Sequence, residues 1–127
     1  MTVKSCIPII PSFDLERSLR FWRDGLGFDD TWWEERRDGK LIGCGLRKGQ
    51  LSFMLNQRRG RLQSPDDHEG IRFYWAPDDL AGLHSHLRSL GYNVSDIAGR
   101  DYGQNEFVVT DDDGFSHCFG VPVPDPD

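Results

Sequence analysis

Two kinds of spacing alternate along the chain. In the first, apolar residues return every three or four positions: Leu15, Leu19 and Trp22, with Ser18 on the same stripe, mark one buried face of a helix. Asp14 stands at its start as a cap, and Gly25 and Gly27 end it. A second helix begins near Pro77-Asp78-Asp79, carries Leu80, Leu83, Leu87 and Leu90 on one side, and closes at Gly91. In the second kind of spacing, short β-prone runs are set off by turn residues. CIPII (6–10) and IRFYW (71–75) precede the helices; FDDTWWEE, KLIGCGLRKG and QLSFMLNQ follow the first helix; YNVSDI, NEFVVTD and FSHCFGV follow the second. Arg47-Lys48-Gly49 and Asp112-Asp113-Gly114 read as hairpin turns.

The two halves repeat one plan. FDLERSLRFWRDGLGF (13–28) and DDLAGLHSHLRSLGY (78–92) share an Asp-Leu start and a Leu-Gly-aromatic finish. An internal match at an offset of about 65 residues predicts a duplicated β-α-β-β-β unit. The expected layout is one domain over 1–127: a first module at about 5–57, a polar connector at 58–68, a second module at about 69–120 and a frayed, proline-rich tail at 121–127. The fold class is α+β, paired β-α-β-β-β modules forming a concave mixed β-sheet trough, because one helix covers only one face of each sheet.

Composition narrows the function. The formal charge of −6 over 127 residues leaves no basic footprint for a nucleic acid. Cys6, Cys44 and Cys118 are isolated and odd in number, without metal-knuckle or disulfide spacing. MTVKSCIPII lacks the long apolar run of a signal peptide, and no stretch reaches the ~20 apolar residues of a membrane span. A cytoplasmic protein in a reducing environment, with no membrane partner, is the expectation.

The segment I-P-I-I-P-S-F-D-L-E-R-S-L-R-F-W-R-D-G-L-G-F resembles the opening of bleomycin-resistance proteins, in the glyoxalase/bleomycin-resistance/dioxygenase (vicinal-oxygen-chelate) superfamily. Tyr102-Gly103-x-x-Glu106-Phe107 ahead of Asp111-x-x-Gly114 is similar to the bleomycin-resistance-like branch. The resemblance runs from about residue 6 to 120. In the superfamily's enzymes, four strands each give one metal ligand; the matching positions here are Ile7, Ser52, Arg72 and Cys118. That set cannot assemble a site for Zn, Ni, Mn or Fe(II), and a guanidinium repels a cation. No metal and no cofactor are therefore expected, and the enzyme reading is disfavoured without being closed. The four histidines, His68, His84, His86 and His117, take solvated or capping roles.

Strand alternation names the residues that line the trough. Arg72 and Tyr74 point inward while Phe73 and Trp75 pack under the helix; Ser52, Met54 and Asn56 share the inward face of their strand. One of Trp32 and Trp33 faces in, since neighbours on a strand point opposite ways. Tyr102 and Gly103 sit on the loop leading to the last hairpin. Such a groove suits a flat conjugated molecule. The resemblance adds that aromatics at positions matching Trp32 and Tyr102 sandwich a planar drug tail at a dimer interface, and that Pro8 stands near the start of an exchanged arm. The inward Arg72 calls for an anionic partner, either Glu106 or a ligand. Two functions follow. One is sequestration of a bleomycin-type glycopeptide antibiotic, or another planar small-molecule ligand, by a homodimer. The alternative is binding of, or metal-independent action on, an unrelated small anionic metabolite held by Arg72.

Overall fold

A computed structural model describes residues 1–58 and 71–124. The chain falls into two compact units, 1–63 and 64–127, each with its own sheet and helix. Most of the connector at 58–68, including His68, lies outside the described residues, as do the last three positions of the tail.

In the first unit, β1 (Ile9–Ser12) leads to α1 (Leu15–Leu19), followed by β2 (Asp30–Arg37), β3 (Lys40–Lys48) and β4 (Leu51–Gln57). The sheet order is β1-β4-β3-β2, with β1 parallel to β4 and the other pairs antiparallel. Asp14 caps α1 by accepting from the Arg17 N–H at 3.3 Å. The predicted helix does not stay regular: past Leu19 the chain widens into a π-helical turn over Arg20–Gly25. Phe21 and Trp22 are adjacent yet both fully buried, and the extra residue in the turn carries both rings to the sheet. Trp22 packs at 5.0 to 6.0 Å between ring centres on Phe21, Phe28 and Phe53. Ser18 is polar on an apolar stripe because its hydroxyl meets the buried Ser12 hydroxyl at 2.7 Å. The β2–β3 turn is two residues long, Asp38 (φ 52°) and Gly39 (φ 79°), the left-handed pair that a tight hairpin requires.

The second unit repeats the order: β5 (Arg72–Trp75), α2 (Leu80–Ser89), β6 (Ala98–Gly99), β7 (Gln104–Thr110) and β8 (Ser116–Pro122), arranged β5-β8-β7-β6. Asp79 caps α2 by accepting from the Gly82 N–H at 2.9 Å. The strand predicted at YNVSDI is reduced to one bridge, Val94 to Val109, and the two-residue β6 beyond it. Tyr92 and Val94 are spent on the core, and the Ser95 hydroxyl takes the Val108 N–H at 2.8 Å where a ladder bond would run. Val121 and Pro122, assigned to the tail from sequence, instead pair with Asn105 and Gln104 at the end of β8.

Candidate functional site

In the first sheet, register decides which face is free. Cys44 pairs with Leu55 and Leu46 with Phe53, and these side chains pack under the helix. The opposite face carries the alternate pairs: Gly43 with Asn56, Gly45 with Met54, and Arg47 with Ser52. Next to the glycines, β2 has a bulge at Trp32, since Thr31 pairs with Leu46 and Trp33 with Gly45. Alternation therefore fails there, and the expectation that only one of Trp32 and Trp33 faces this side is corrected. Three ring carbons of Trp32 lie 2.4 to 2.8 Å from where a Cβ on residue 45 would stand, and Trp33 Cη2 lies 2.6 Å from one on residue 43. Both indoles thus rest on bare backbone. The Arg47 guanidinium stands 5.9 Å from the Trp32 ring centre, held by Asp30 at 3.8 Å and Ser52 at 3.5 Å. Ser52, Met54 and Asn56 lie on this face as predicted from alternation.

Gly43 and Gly45 went unread as site residues. Their signal was a G-x-G segment on the strand next to a tryptophan pair, which becomes meaningful only once the strands are in register.

The second sheet has its own free face. Tyr74 pairs with Cys118, Val108 with Cys118 and Glu106 with Gly120, while Phe73, Trp75, Phe107 and Phe119 face the helix side. Its centre is Glu106, a carboxylate 2% exposed. Both phenols, Tyr74 and Tyr102, donate to it, and Arg100 Nε donates at 3.3 Å. Burial alone pushes the Glu106 carboxyl up, but hydrogen bonds from Tyr102, Tyr74, Cys118 and Arg100 outweigh it and hold it below the ordinary value. The same bonds push the Tyr74 phenol up to about 12 and raise that of Tyr102. Gly120 lets the Tyr74 hydroxyl in, for a Cβ there would stand 2.6 Å from it. Gly103 (φ 87°) turns the chain beside Tyr102. Arg72 shares the free face with Tyr74 and is exposed; of its two expected partners, Glu106 is taken by Arg100. Tyr74 and Tyr102 remain 58% and 61% exposed, so their rings are open although their hydroxyls are engaged.

Two histidines also depart from the solvated roles expected. His117 is fully buried between Phe73 and Phe119, stacked at 4.7 Å on Phe73. The Trp75 indole, which can only donate, gives its N–H to His117 Nδ1 at 2.9 Å; Nε2 therefore holds the ring proton and donates to Asp111 at 2.7 Å. Asp111 also accepts from the Asp113 and Phe115 amides at 2.9 Å, pinning the last hairpin. His84 packs on Phe107 and meets the Ser95 carbonyl at 2.8 Å.

The positions that the resemblance assigns to metal ligands do not fit a metal. Ile7 has no donor atom, Ser52 turns its hydroxyl to Arg47, and Arg72 is a cation. The Cys118 thiol is pushed up to about 11 by burial and by its bond to Glu106, so it stays protonated. Among the described residues, no group of three His, Cys, Asp or Glu is placed to hold a metal ion. Likewise, no described helix is long and apolar enough to cross a membrane.

With this geometry in hand, comparison with known proteins gives the following. The profile of the Glyoxalase/Bleomycin resistance protein/Dioxygenase superfamily matches residues 6–119. No curated protein sequence matches significantly. Among solved structures, TnmS3, an antibiotic binding protein from Streptomyces sp. CB03234, is similar with a TM-score of 0.73 at 17% identity, over 96% of this chain and 98% of that one. TioX from Micromonospora sp. ML1 is similar with a TM-score of 0.74 at 14% identity, over 94% and 100% of the two chains. A glyoxalase family protein from Enterococcus faecalis gives 0.74 at 17% identity, over 95% and 100%. At these identities the likeness shows the fold.

Proposed function

Since the chain belongs to the Glyoxalase/Bleomycin resistance protein/Dioxygenase superfamily, we propose that it binds a planar aromatic small molecule and holds it without chemical change. The observation that supports this is the bulge in β2, which lays Trp32 and Trp33 side by side over Gly45 and Gly43. The glycines let both rings lie flat on the strand, where a Cβ would lift them, and a flat ring is what a planar ligand stacks on. Arg47 is a surface group held by weak, exposed pairs, so it swings off Trp32 at little cost when a flat ligand arrives. Ser52, Met54 and Asn56 complete this contact surface. On the second unit, Arg72, Tyr74, Tyr102 and Gly103 are proposed ligand contacts because they are exposed and the two tyrosine rings are open. TnmS3, whose fold this chain shares, is an antibiotic binding protein. A glycopeptide antibiotic of the bleomycin group is therefore the ligand to try first.

The proposal includes a homodimer in the cytoplasm, since β1 and β2, like β5 and β6, are edge strands with a neighbour on one side only. Sedimentation at micromolar concentration tests it, and a monomer would sink it.

The test of binding is titration of chelator-treated protein with metal-free and copper-loaded bleomycin, read by tryptophan fluorescence and unfolding temperature. Saturable quenching at one drug per subunit with a rise in melting temperature supports sequestration. Drug altered at substoichiometric protein overturns it. A second reading, binding or metal-independent conversion of a small anionic metabolite, is favoured by Arg72, which is exposed and has no ion pair among the described residues. Turnover or anion binding unchanged in Arg72→Ala would remove that reading.

A further inference from the structure

Two buried polar atoms on the free face of the first sheet, Trp32 Nε1 and Asn56 Oδ1, have no hydrogen-bond partner among the described residues. A buried donor or acceptor left unmet loses its hydration and gains nothing in return, so such atoms are few in folded proteins. Here two occur on one face, and they are opposite in sense. The indole nitrogen can only donate, and the amide oxygen can only accept.

They are also near one another. The Trp32 ring rests on Gly45, and Asn56 Oδ1 lies 3.4 Å from where a Cβ on Gly43 would stand. Gly43 and Gly45 are alternate residues of β3, about 7 Å apart along the strand. An indole N–H points outward in the plane of its ring, so a flat molecule set edge-on to Trp32, rather than stacked on it, meets that N–H at one place on its rim and the Asn56 carbonyl at another.

We propose that Trp32 Nε1 and Asn56 Oδ1 are the specificity-determining pair of this face, selecting a neutral planar heterocycle that offers both a hydrogen-bond acceptor and an N–H donor. This rests on the reading of Trp32 and Trp33 as ligand plates. Neither atom asks for a charge, and Arg47, the cation over the Trp32 ring, is already paired with Asp30. Both atoms are closed to water in the free chain, so a ligand reaches them by parting the side chains. Trp33 is the group that moves, because its ring edge shares the space over Gly43 with Asn56 Oδ1. Stacking on Trp33 then draws the ligand in, and the two unmet atoms at its rim choose among planar molecules. A site whose buried polar groups are satisfied only by the right ligand rejects the analogue lacking them.

The experiment uses three flat probes of similar size on the full chain: 4-quinolone, which has an N–H and a carbonyl on its rim, N-methyl-4-quinolone, which has lost the N–H, and naphthalene, which has neither. Dissociation constants are measured by ligand-observed NMR. The expected result is 4-quinolone bound about tenfold more tightly than its N-methyl derivative, with naphthalene weaker still. Asn56→Leu should erase the difference that N-methylation makes, and Trp32→Phe should erase the difference between N-methyl-4-quinolone and naphthalene. The methylation series needs no variant, so it stands even if a substitution prevents folding. Three probes bound equally by the unsubstituted protein would overturn the pair and leave the plates standing, as would a preference that survives both substitutions. If none of the three binds, Trp32 and Trp33 are not a ligand surface and both readings fall.

Discussion

The two sheets have the same strand order and the same parallel edge pair, yet their free faces treat polar atoms in opposite ways. On the second sheet a buried carboxylate, Glu106, takes hydrogen bonds from Tyr74, Tyr102, Arg100 and Cys118. On the first, Trp32 Nε1 and Asn56 Oδ1 are buried and have no partner among the described residues. The helix sides differ too. Aromatic rings around Trp22 fill the first, while the second threads Trp75, His117 and Asp111 through its ring stack. Duplication of a backbone plan thus leaves side-chain chemistry free to diverge. Among the described residues, every buried side-chain polar atom of the second unit has a partner, and two of the first unit's do not.

The polar network of the second unit is most sensitive at Asp111. Asp111→Ala leaves the His117 Nε2–H and the amides of Asp113 and Phe115 unmet in the interior, at a cost of about 4 kcal/mol read from urea unfolding. A loss below 1 kcal/mol would mean that water reaches the network. Glu106→Gln follows at about 3 kcal/mol, since an amide cannot accept from every donor that now surrounds the carboxylate. Its pH signature is distinctive. The folded carboxyl lies below its ordinary 4.5, so its contribution is complete above pH 4.5 and is lost as pH falls through the lower folded value. Acid should therefore weaken the unsubstituted protein along a slope that Glu106→Gln flattens. Tyr74 runs the other way: its contribution is complete below pH 10 and lost as pH rises through about 12. An absorbance titration that finds Tyr74 ionising near pH 10 would mean that the Glu106 bond is not formed.

On the first sheet the same test acts through shape. Gly45→Ala places a methyl group 2.4 Å from Trp32 Cε2, so the ring has to lift. The expected cost is about 2 kcal/mol, together with a shift in tryptophan emission. Unchanged emission would show that Trp32 does not rest on Gly45.

Much of this was legible in the residues. The duplicated helix motif, the caps Asp14 and Asp79 and the apolar alternation gave the element order, and alternation placed Ser52, Met54, Asn56 and Tyr74 on the right faces. What escaped were departures from period. Trp32 and Trp33 share a face because a bulge adds a residue, and a bulge is a property of two paired strands that neither strand announces alone. Tyr92 and Val94 promise a strand, yet the core claims them singly. Of the two partners open to Arg72, Glu106 or a ligand, Glu106 is taken by Arg100, which reaches that carboxylate from a turn that no periodicity describes. His117 resembles a surface histidine until Trp75 and Asp111 are seen on either side of its ring.

The smallest effect carries the sharpest contrast. Asn56 Oδ1 has no partner among the described residues, so replacing the amide with a hydrocarbon removes a desolvation cost and breaks no bond. Asn56→Leu should raise stability by about 1 kcal/mol, which for a chain of this size is a rise of about 3 °C in melting temperature. Glu106→Gln, a gentler change in volume, should move stability the other way and further. If Asn56→Leu instead destabilises by a comparable amount, a bound water already serves the oxygen. The first sheet would then be as self-sufficient as the second. If it stabilises while weakening the grip on a planar ligand, stability has been traded for recognition at that residue, as expected of an atom kept unmet for a ligand to use.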